Sequence, residues 1–229
     1  MNKLLAVLLA CLAMPTNATL LDRGGGLIYD DVLNITWLQD ANYAKTSGFD
    51  ADGLMDWHAA MAWAVGLIYG GYDDWRLPIV NPANGQDFTY TYSPAGFSDF
   101  GYNIKNTSSE MAYMHHNNLG NISLLIPNGD FSGCQNNVPD MCMYNKGYFS
   151  NLQSYTYWSM TEIPTDSAFN FNMSTGGQGG STKTGDVFYA WAVRDGDVTP
   201  VPEPSTYALI LGGLGVLVVA LRRNSKQVV

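Results

Sequence analysis

Cysteines and histidines are the side chains of this sequence that could do chemistry within its middle part. Cys134 and Cys142 lie eight positions apart, and turn-forming Asn, Pro and Asp residues stand between them. If the chain is exported, such a pair is best interpreted as a disulfide that closes a small loop. A metal or redox pair is the alternative, although the spacing is not Cys-x-x-Cys and no histidine flanks it. We therefore predict a Cys134–Cys142 disulfide.

The three histidines of the chain do not form a recognisable catalytic or metal-binding pattern. Adjacent helical residues point about 100° apart, so His115 and His116 cannot chelate one ion from the same helix face. His115 falls on the predicted apolar face of its helix, which is typical of a hydrogen-bonded core histidine. The sequence contains no Gly-x-Ser-x-Gly, His-Glu-x-x-His or phosphate-binding glycine loop. These observations predict a protein that is not an enzyme.

A run of alternating aspartates, Asp50-Ala51-Asp52-Gly53, could wrap a hard cation such as calcium. A complete EF-hand loop would need ligands where the chain has Leu54 and Met61. We therefore interpret this stretch as a solvated turn, and we predict neither a metal ligand nor a cofactor.

The charge balance excludes one large class of partner. The chain of 229 residues has 11 basic and 20 acidic side chains, a formal net charge of −9. Four of the basic residues and one of the acidic residues lie in the two terminal segments, which leaves 7 basic and 19 acidic residues, or −12, in the middle. Such a surface repels phosphate backbones, so no nucleic acid is expected as a partner. The 13% aromatic content and 24 glycines argue against disorder and favour short elements joined by tight loops.

The N-terminal stretch 1–18 predicts a secretion signal. Lys3 supplies the positive charge, residues 4–14 form an apolar run too short to span a bilayer, and small residues precede a cleavage point after Ala18. Cys11 raises the alternative of a lipid-modified cysteine, but the apolar run continues past it. We expect Cys11 to be removed with the signal peptide 1–18.

The C-terminal stretch 201–229 predicts a membrane-inserted tail. An apolar run over 205–221 is about 25 Å long as a helix, just enough for a thin bilayer, and predicts a transmembrane helix. The basic pair that follows it argues that the end stays in the cytoplasm and acts as the membrane stop. The tail thus has three parts in order: Pro202, Glu203 and Pro204, then the apolar run, then Arg222 and Arg223.

This three-part tail resembles the PEP-CTERM sorting signal. The resemblance implies a Gram-negative bacterial surface protein that an exosortase in the inner membrane recognises and cuts near Pro202-Glu203-Pro204. Such proteins accompany exopolysaccharide and biofilm-matrix production. The implied location is an exported domain, held in the inner membrane by a single helix at least transiently, and then the cell surface or the extracellular matrix. The implied partners are the exosortase, the inner membrane and an exopolysaccharide.

Between the ends, the pattern predicts one compact α+β domain over residues 19–200, with short strands and two helices. Residues 27–29 and 35–38 are strand candidates. Asp56 is expected to cap a helix over 57–68 that Gly70-Gly71 ends, with one apolar face made by six residues: Trp57, Ala60, Met61, Ala64, Val65 and Ile68. A second helix is expected to begin at Thr107, which forms a capping box with Glu110, and to end at Gly120.

The last third of this domain is strand-like. Residues 155–159, 168–173 and 187–193 are the strand candidates, and the glycine-rich stretch 176–180 is expected to separate the last two. Alternation places Val187, Tyr189, Trp191 and Val193 on one face of the closing strand.

Several short blocks in the middle of the chain recur in this order in one family. They are Gly25-Gly26-Leu27-Ile28-Tyr29-Asp30, Thr36-Trp37-Leu38-Gln39-Asp40-Ala41-Asn42, Ala62-Trp63-Ala64, Gly70-Gly71-Tyr72-Asp73-Asp74-Trp75-Arg76-Leu77-Pro78, Tyr157-Trp158-Ser159 and Trp191-Ala192-Val193-Arg194. Residues 25–195 thereby resemble the Lcl C-terminal-type domain, a family long described as a domain of unknown function. The resemblance implies a fold similar to C-type lectin-like domains, and it includes an adhesin domain that binds sulfated polysaccharides. The negative charge of this chain argues against binding such polyanions.

The residues of these blocks have a structural interpretation. Trp37, Trp75, Trp158 and Trp191 are expected in the core, because an aromatic side chain of that size buries about 150–250 Å². Arg76 is expected to pair with Asp73 or Asp74. Arg194 is expected to pair with Asp195 or Asp197.

The sequence as a whole predicts an exported, non-enzymatic cell-surface or matrix protein that binds carbohydrate or another envelope component. One alternative is an enzyme on a lectin-like scaffold. Formylglycine-generating enzymes have such a fold and use a reactive cysteine pair, for which Cys134 and Cys142 are the only candidates here. The other alternative is a purely structural matrix protein without a ligand.

Overall fold

The computed structural model describes residues 19–198. The predicted signal peptide 1–18, the predicted sorting residues and the predicted transmembrane helix 205–221 lie outside the described residues. Within residues 19–198, no helix has both the length and the apolar character needed to cross a bilayer.

Short strands in two sheets and a few short helices make up the described chain, which agrees with the predicted α+β class. The strands are β1 Leu20–Asp22, β2 Leu27–Asp30, β3 Ile35–Leu38, β4 Tyr92–Ser93, β5 Phe100–Tyr102, β6 Thr156–Ile163, β7 Ser167–Asn172, β8 Gly177–Thr182 and β9 Val193–Asp195. The helices are α1 Tyr43–Thr46, α2 Trp57–Val65 and α3 Glu110–Tyr113, with a π-helical turn Met114–Asn118 and a 3-10 turn Cys134–Asn136.

The first sheet joins the two ends of the described chain. Its order is β1-β2-β3-β9, and each neighbouring pair is antiparallel. The predicted strands at 27–29 and 35–38 are confirmed as β2 and β3. Because β9 comes from the far end of the chain and pairs with β3, this sheet closes only when the whole domain has folded.

The second sheet has the order β4-β5-β8-β7-β6 and contains a glycine-rich strand. The prediction that residues 176–180 only separate two strands is wrong, since β8 lies between β5 and β7. Neighbouring side chains fill the space that its side chains would take: a Cβ on Gly177 would lie 2.7 Å from Tyr102 Cε1. Sequence propensity disfavours glycine in a strand, and here the packing of adjacent rings outweighs that propensity.

The predicted closing strand over 187–193 is also wrong in its extent. Only Val193–Asp195 is a regular strand there, and Phe188 and Tyr189 form isolated bridges to Met55 and Tyr157. Trp191 is buried as predicted and Val193 is buried too, whereas Val187, which was expected on the same face, is 49% exposed. The backbone that precedes β9 meets several different partners in turn, so it cannot follow one neighbouring strand.

Helix α2 begins where the sequence indicated, and Asp56 accepts a hydrogen bond from the backbone N–H of Ala59. It ends at Val65 with Gly66 as its C-cap, so the predicted extension to residue 68 and the stop at Gly70-Gly71 are wrong. The predicted apolar face is partly wrong too, because Val65 and Ile68 are 66% and 76% exposed. Trp63 is buried in their place. The helix is apolar on nearly every side, so periodicity could not select the buried face.

Helix α3 begins later than predicted. Its N-cap is Ser109, whose hydroxyl accepts from the N–H of Ala112, and no capping box forms at Thr107. Glu110 does not cap the helix, because its carboxylate binds Arg76 and the backbone N–H of Ile79.

The core lies where the first sheet, α2 and the closing segment meet. Trp37 and Trp191 are fully buried with ring centroids 4.5 Å apart, and Phe149 packs edge-on against Trp191 at 4.7 Å. Trp75 and Trp158 are 3% and 0% exposed, so all four predicted core tryptophans are confirmed. The indole N–H of Trp191 donates to the carbonyl of Leu38, which satisfies a polar group inside the core.

The predicted local ion pairs are wrong, because both arginines bind distant carboxylates instead. Arg76 pairs with Glu110 at 2.8 Å and with Asp195, and Arg194 pairs with Asp74. Asp73, which precedes Asp74, forms an ion pair with neither arginine. Asp195 follows Arg194 directly in β9, where neighbouring side chains point to opposite faces, so this nearest acid cannot reach the Arg194 guanidinium.

Trp75 gives a direct test of this core. We expect Trp75→Ala to lower the free energy of unfolding by about 3–5 kcal/mol, as truncation of a large buried aromatic does. Urea denaturation of the 19–200 fragment measures it. Ile68→Ala, which truncates a 76% exposed side chain, is the control and should change stability by less than about 0.5 kcal/mol. Equal midpoints for the two variants would contradict the assignment of Trp75 to the core.

Candidate functional site

Two adjoining cavities form one groove at the end of the first sheet where β3 leads into α1. Their volumes are about 570 Å³ and about 370 Å³, within the range of small-ligand sites. They share Asn151, Gln153 and Tyr189. Leu54, Pro139, Asp140, Lys146, Leu152, Ser154 and Tyr155 complete the larger cavity, and Asn42, Lys45, Thr46 and Asp52 complete the smaller one. We call this joined surface the tyrosine groove.

Two tyrosines form an aromatic wall of the groove, and buried aromatic side chains support this wall. Tyr155 is 47% exposed and meets Tyr189 edge-on, with ring centroids 6.2 Å apart. Tyr189 packs on buried Tyr157 at 5.5 Å, and Tyr157 continues to Trp191 in the core. Rings that are supported by a buried aromatic stack are held in place before a ligand arrives, which lowers the entropy lost on binding.

The polar side of the groove is made of amides whose geometry is also fixed. Asn151 has a left-handed backbone (φ 54°), and its side-chain amide donates to Asp40. Gln153 donates its side-chain amide to the carbonyl of Asn151, while its backbone N–H donates to the hydroxyl of Tyr157. The side-chain oxygens of both amides accept no hydrogen bond within residues 19–198, so they remain available to a ligand.

The groove is electrically balanced although the domain is strongly acidic. It contains Lys45, Lys146, Asp52 and Asp140. Lys146 and Asp140 form an ion pair at 3.3 Å, and Lys45 forms none within the described chain. The groove therefore favours a ligand that is uncharged or carries few charges.

The cysteine pair shapes one wall of this groove. Cys134 and Cys142 lie at disulfide-bonding distance with Cα atoms 4.8 Å apart, as predicted, and both are buried. The loop that they close carries Pro139 and Asp140 to the groove. The backbone carbonyl of Asp140 accepts from the hydroxyl of Ser154, which ties the loop to the opposite wall. A bonded pair in this position is a structural brace.

The two histidines that are adjacent in sequence, His115 and His116, are buried and remain uncharged. His115 is fully buried, and burial followed by the adjacent His116 lowers its pKa to about 3. Burial lowers the pKa of His116 to about 4. His116 Nε2 lies 3.4 Å from the hydroxyl oxygen of Ser123, and this oxygen lies 3.2 Å from the carbonyl oxygen of Gly176. Ser123 is only 2% exposed, so the pair holds two chain segments together and does not present a nucleophile.

The aspartate run near the groove forms turns. Asp50 accepts from the backbone N–H groups of Asp52 and Gly53, and Asp52 accepts from that of Leu54. These bonds use the carboxylates locally, in agreement with the predicted turn. Among residues 19–198, no three His, Cys, Asp or Glu side chains cluster in a way that could hold a metal ion.

The sequence does not point to the groove as a site. It predicts Tyr189 on one face of a strand, and it gives Tyr155, Asn151 and Gln153 no recognisable motif. Their only sequence signal is an aromatic and amide-rich stretch, 151–157, that is typical of loops as well as of binding surfaces. They become a site because residues 40–54, 139–155 and 189 meet in space.

Comparison with known protein families gives a match that lies outside the described residues. Residues 200–224 match the PEP-CTERM protein-sorting motif. This stretch contains the predicted sorting residues Pro202, Glu203 and Pro204 and the predicted membrane stop Arg222 and Arg223. The motif indicates export, processing by an exosortase and sorting to the cell surface. No curated protein and no solved structure matches the chain.

The buried histidines predict a loss of stability in mild acid. As the pH falls below about 6.5, the unfolded chain binds protons at both histidines while the folded chain does not, so unfolding becomes easier. We expect the free energy of unfolding to fall by up to about 1.4 kcal/mol per pH unit for each histidine between pH 6.5 and 5. Asp30, whose pKa burial raises, opposes this trend at lower pH.

Urea denaturation at pH 5, 5.5, 6 and 6.5 tests this dependence. His116→Gln should remove about half of the slope, because one of two buried titrating groups is lost. Asn117→Gln, a neighbouring exposed position without a titrating group, should keep it. A parent protein whose stability is flat over this range would contradict the buried, neutral state of the pair.

Proposed function

We propose that this exported domain is a non-enzymatic binding protein of the cell surface or extracellular matrix, and that the tyrosine groove binds an uncharged polysaccharide. The observation that carries the proposal is the fixed aromatic wall of Tyr155 and Tyr189 opposite the free amide oxygens of Asn151 and Gln153.

Sugars suit this combination of groups. One side of a pyranose ring is lined with C–H groups and packs on an aromatic face, while its edge carries hydroxyls that bind amides and carboxylates. The groove supplies both an aromatic face and polar side chains, and its volume can hold a few sugar units. Because it is open, it suits an internal segment of a long polymer as well as a chain end.

The electrostatics select against polyanions. The middle of the chain carries −12, so a sulfated or strongly acidic polymer is repelled as it approaches. The groove itself is balanced and adds no excess positive charge to overcome this repulsion. A neutral exopolysaccharide meets no such barrier.

The proposed fold family is the Lcl C-terminal-type domain with a C-type lectin-like architecture. Support comes from the sequence blocks and from the positions that they take: Trp75 and Leu77 are buried, and Arg76 links three parts of the fold. A lectin-like role for the groove agrees with this proposal, and the groove argument stands without it.

Truncation of one tyrosine tests the groove. We expect Tyr155→Ala to reduce binding of the 19–200 fragment to its best neutral glycan on an array by at least about tenfold. The scale comes from the stacking of a flat ring on an aromatic side chain, which contributes about 1–3 kcal/mol in nucleic-acid complexes. Calorimetry with that glycan gives the fold-change.

The control is Tyr92→Ala, which removes a 58% exposed tyrosine on the second sheet, away from the groove. It should bind like the parent. Binding that survives Tyr155→Ala but is lost in Tyr92→Ala would move the site to the second sheet. A parent fragment that binds no glycan would favour the purely structural matrix protein.

We further propose that Glu203 is the residue by which the exosortase recognises the tail. The two prolines that flank it disfavour helical hydrogen bonding, which is why we expect an enzyme to recognise this stretch as an extended peptide. Insertion depends on the apolar run and on Arg222 and Arg223 instead.

Replacing Glu203 separates sorting from insertion. We expect Glu203→Gln to remain in the inner-membrane fraction without being processed, and deletion of residues 205–221 to release the domain as soluble protein. Cell fractionation with immunoblotting measures both. If Glu203→Gln is processed and exported like the parent, Glu203 has no role in sorting and the tail acts as a plain anchor.

A further inference from the structure

A further cavity lies between the loops on either side of β5. Its volume is about 420 Å³, within the range of small-ligand sites. It shares no lining residue with the tyrosine groove. Lys105 is the one charged residue among those that line it, so we call it the Lys105 cavity. Its apolar lining comes from Ala95, Ile122, Leu125, Ile126 and Pro127.

Asn103 holds the two sides of this cavity together. Its backbone is left-handed (φ 61°), and its side-chain amide donates to the carbonyls of Pro94 and Leu125, at 2.7 and 2.8 Å. Its backbone N–H donates to the hydroxyl oxygen of Ser123, which is 2% exposed. The loop with Ala95 and the loop with Leu125 are therefore fixed relative to each other. A cavity that is formed before a ligand arrives loses less entropy on binding.

Two isoleucines of the cavity are left in contact with water. Ile122 and Ile126 are 43% and 41% exposed. A tight turn fixes the second of them, because the backbone N–H of Ile126 donates to the carbonyl of Asp130 and its own carbonyl accepts from the N–H of Gly129. A single exposed isoleucine needs no explanation. Two that line one cavity form an apolar surface that a ligand can remove from water, which favours binding.

The charged group of the cavity is a cation without a partner. Within residues 19–198, the ammonium group of Lys105 forms neither a hydrogen bond nor an ion pair. Its charge acts on the inner side of the cavity: burial and, less strongly, Lys105 lower the pKa of His116, whose ring lies 3.4 Å from Ser123. The domain as a whole is strongly acidic and repels polyanions. A ligand that uses Lys105 therefore combines a single negative charge with an apolar part.

The other polar groups of the cavity are already in use, which argues against a sugar as its ligand. The side-chain N–H groups of Asn103 bind two carbonyls, and the hydroxyl of Ser123 contacts Asn103, His116 and Gly176. No aromatic ring stands among the lining residues, so a pyranose has no face on which to stack. A ligand meets an apolar wall and one cation, and an unbranched chain that ends in a carboxylate matches both.

We propose that the Lys105 cavity binds a fatty acid, whose chain lies against Ile122, Leu125 and Ile126 and whose carboxylate binds the ammonium group of Lys105. Hydrolysis of the ester bonds of membrane lipids releases such molecules, so an exported protein meets them wherever lipids are broken down at a cell surface. The cavity and the tyrosine groove are separate sites, and the proposal for one does not depend on the proposal for the other.

A chain-length series tests the apolar part of the site. Octanoate, decanoate and dodecanoate, each below its micelle concentration, are titrated by calorimetry into the 19–200 fragment, which contains the whole described core. We expect the affinity to rise about two- to fourfold for each added methylene, because each one removes apolar surface from water. Decanol, which has the chain of decanoate without its charge, should bind about fivefold more weakly than decanoate. A fragment that binds none of the three acids would overturn the proposal.

Variants assign the two parts of the ligand to their partners. Lys105→Gln should weaken decanoate about fivefold and leave decanol unchanged, and Lys105→Arg should keep the affinity for decanoate. Ile126→Ser should weaken both ligands about fivefold, whereas Ile68→Ser, at a 76% exposed isoleucine outside the cavity, should weaken neither. Equal losses of decanoate and decanol in Lys105→Gln, or equal losses in the two isoleucine variants, would overturn the proposal. Glycan binding is unaffected by either result, so the two proposals fail separately.

Discussion

A single half-buried cation, Arg76, holds together three parts of the chain that are far apart in sequence. Its guanidinium makes two parallel hydrogen bonds to the carboxylate of Glu110 at 2.8 Å and a further bond to Asp195. Its backbone exchanges both hydrogen bonds with Val193. A buried ion pair that loses one partner typically costs about 3–5 kcal/mol, since the remaining charge stays uncompensated. The extended segment after α2, helix α3 and strand β9 are thus fixed relative to one another by one side chain.

The position of β9 brings the two ends of the described residues to the same end of the first sheet. Because β9 adds to the edge of β3, the first and last strands of the described residues begin and end at the same row of the first sheet. The same closing segment supplies Tyr189 to the groove before it reaches β9. One run of residues therefore supplies both Tyr189 of the groove and the strand that completes the first sheet.

The groove itself depends on loops that need separate supports. The cysteine pair fixes the loop with Asp140, buried Tyr157 supports Tyr189, and the hydroxyl of Tyr157 holds the backbone of Gln153. Each support is a tertiary contact between segments that carry little regular structure. A binding surface on loops is rigid only where such contacts exist, because loop backbone lacks the hydrogen-bond ladders of helices and strands.

The sequence by itself determined the features that depend on local pattern and composition: the tripartite tail, the cysteine pair, β2 and β3, the Asp56 cap and the four core tryptophans. Only the tertiary structure decided which acids pair with Arg76 and Arg194, that a glycine-rich stretch forms β8, and which face of α2 is buried. Those outcomes depend on partners that are distant in sequence or on rings that occupy space beside a glycine. The groove belongs to this second group, since its tyrosines and amides carry no spacing signal and meet only when three distant segments fold together.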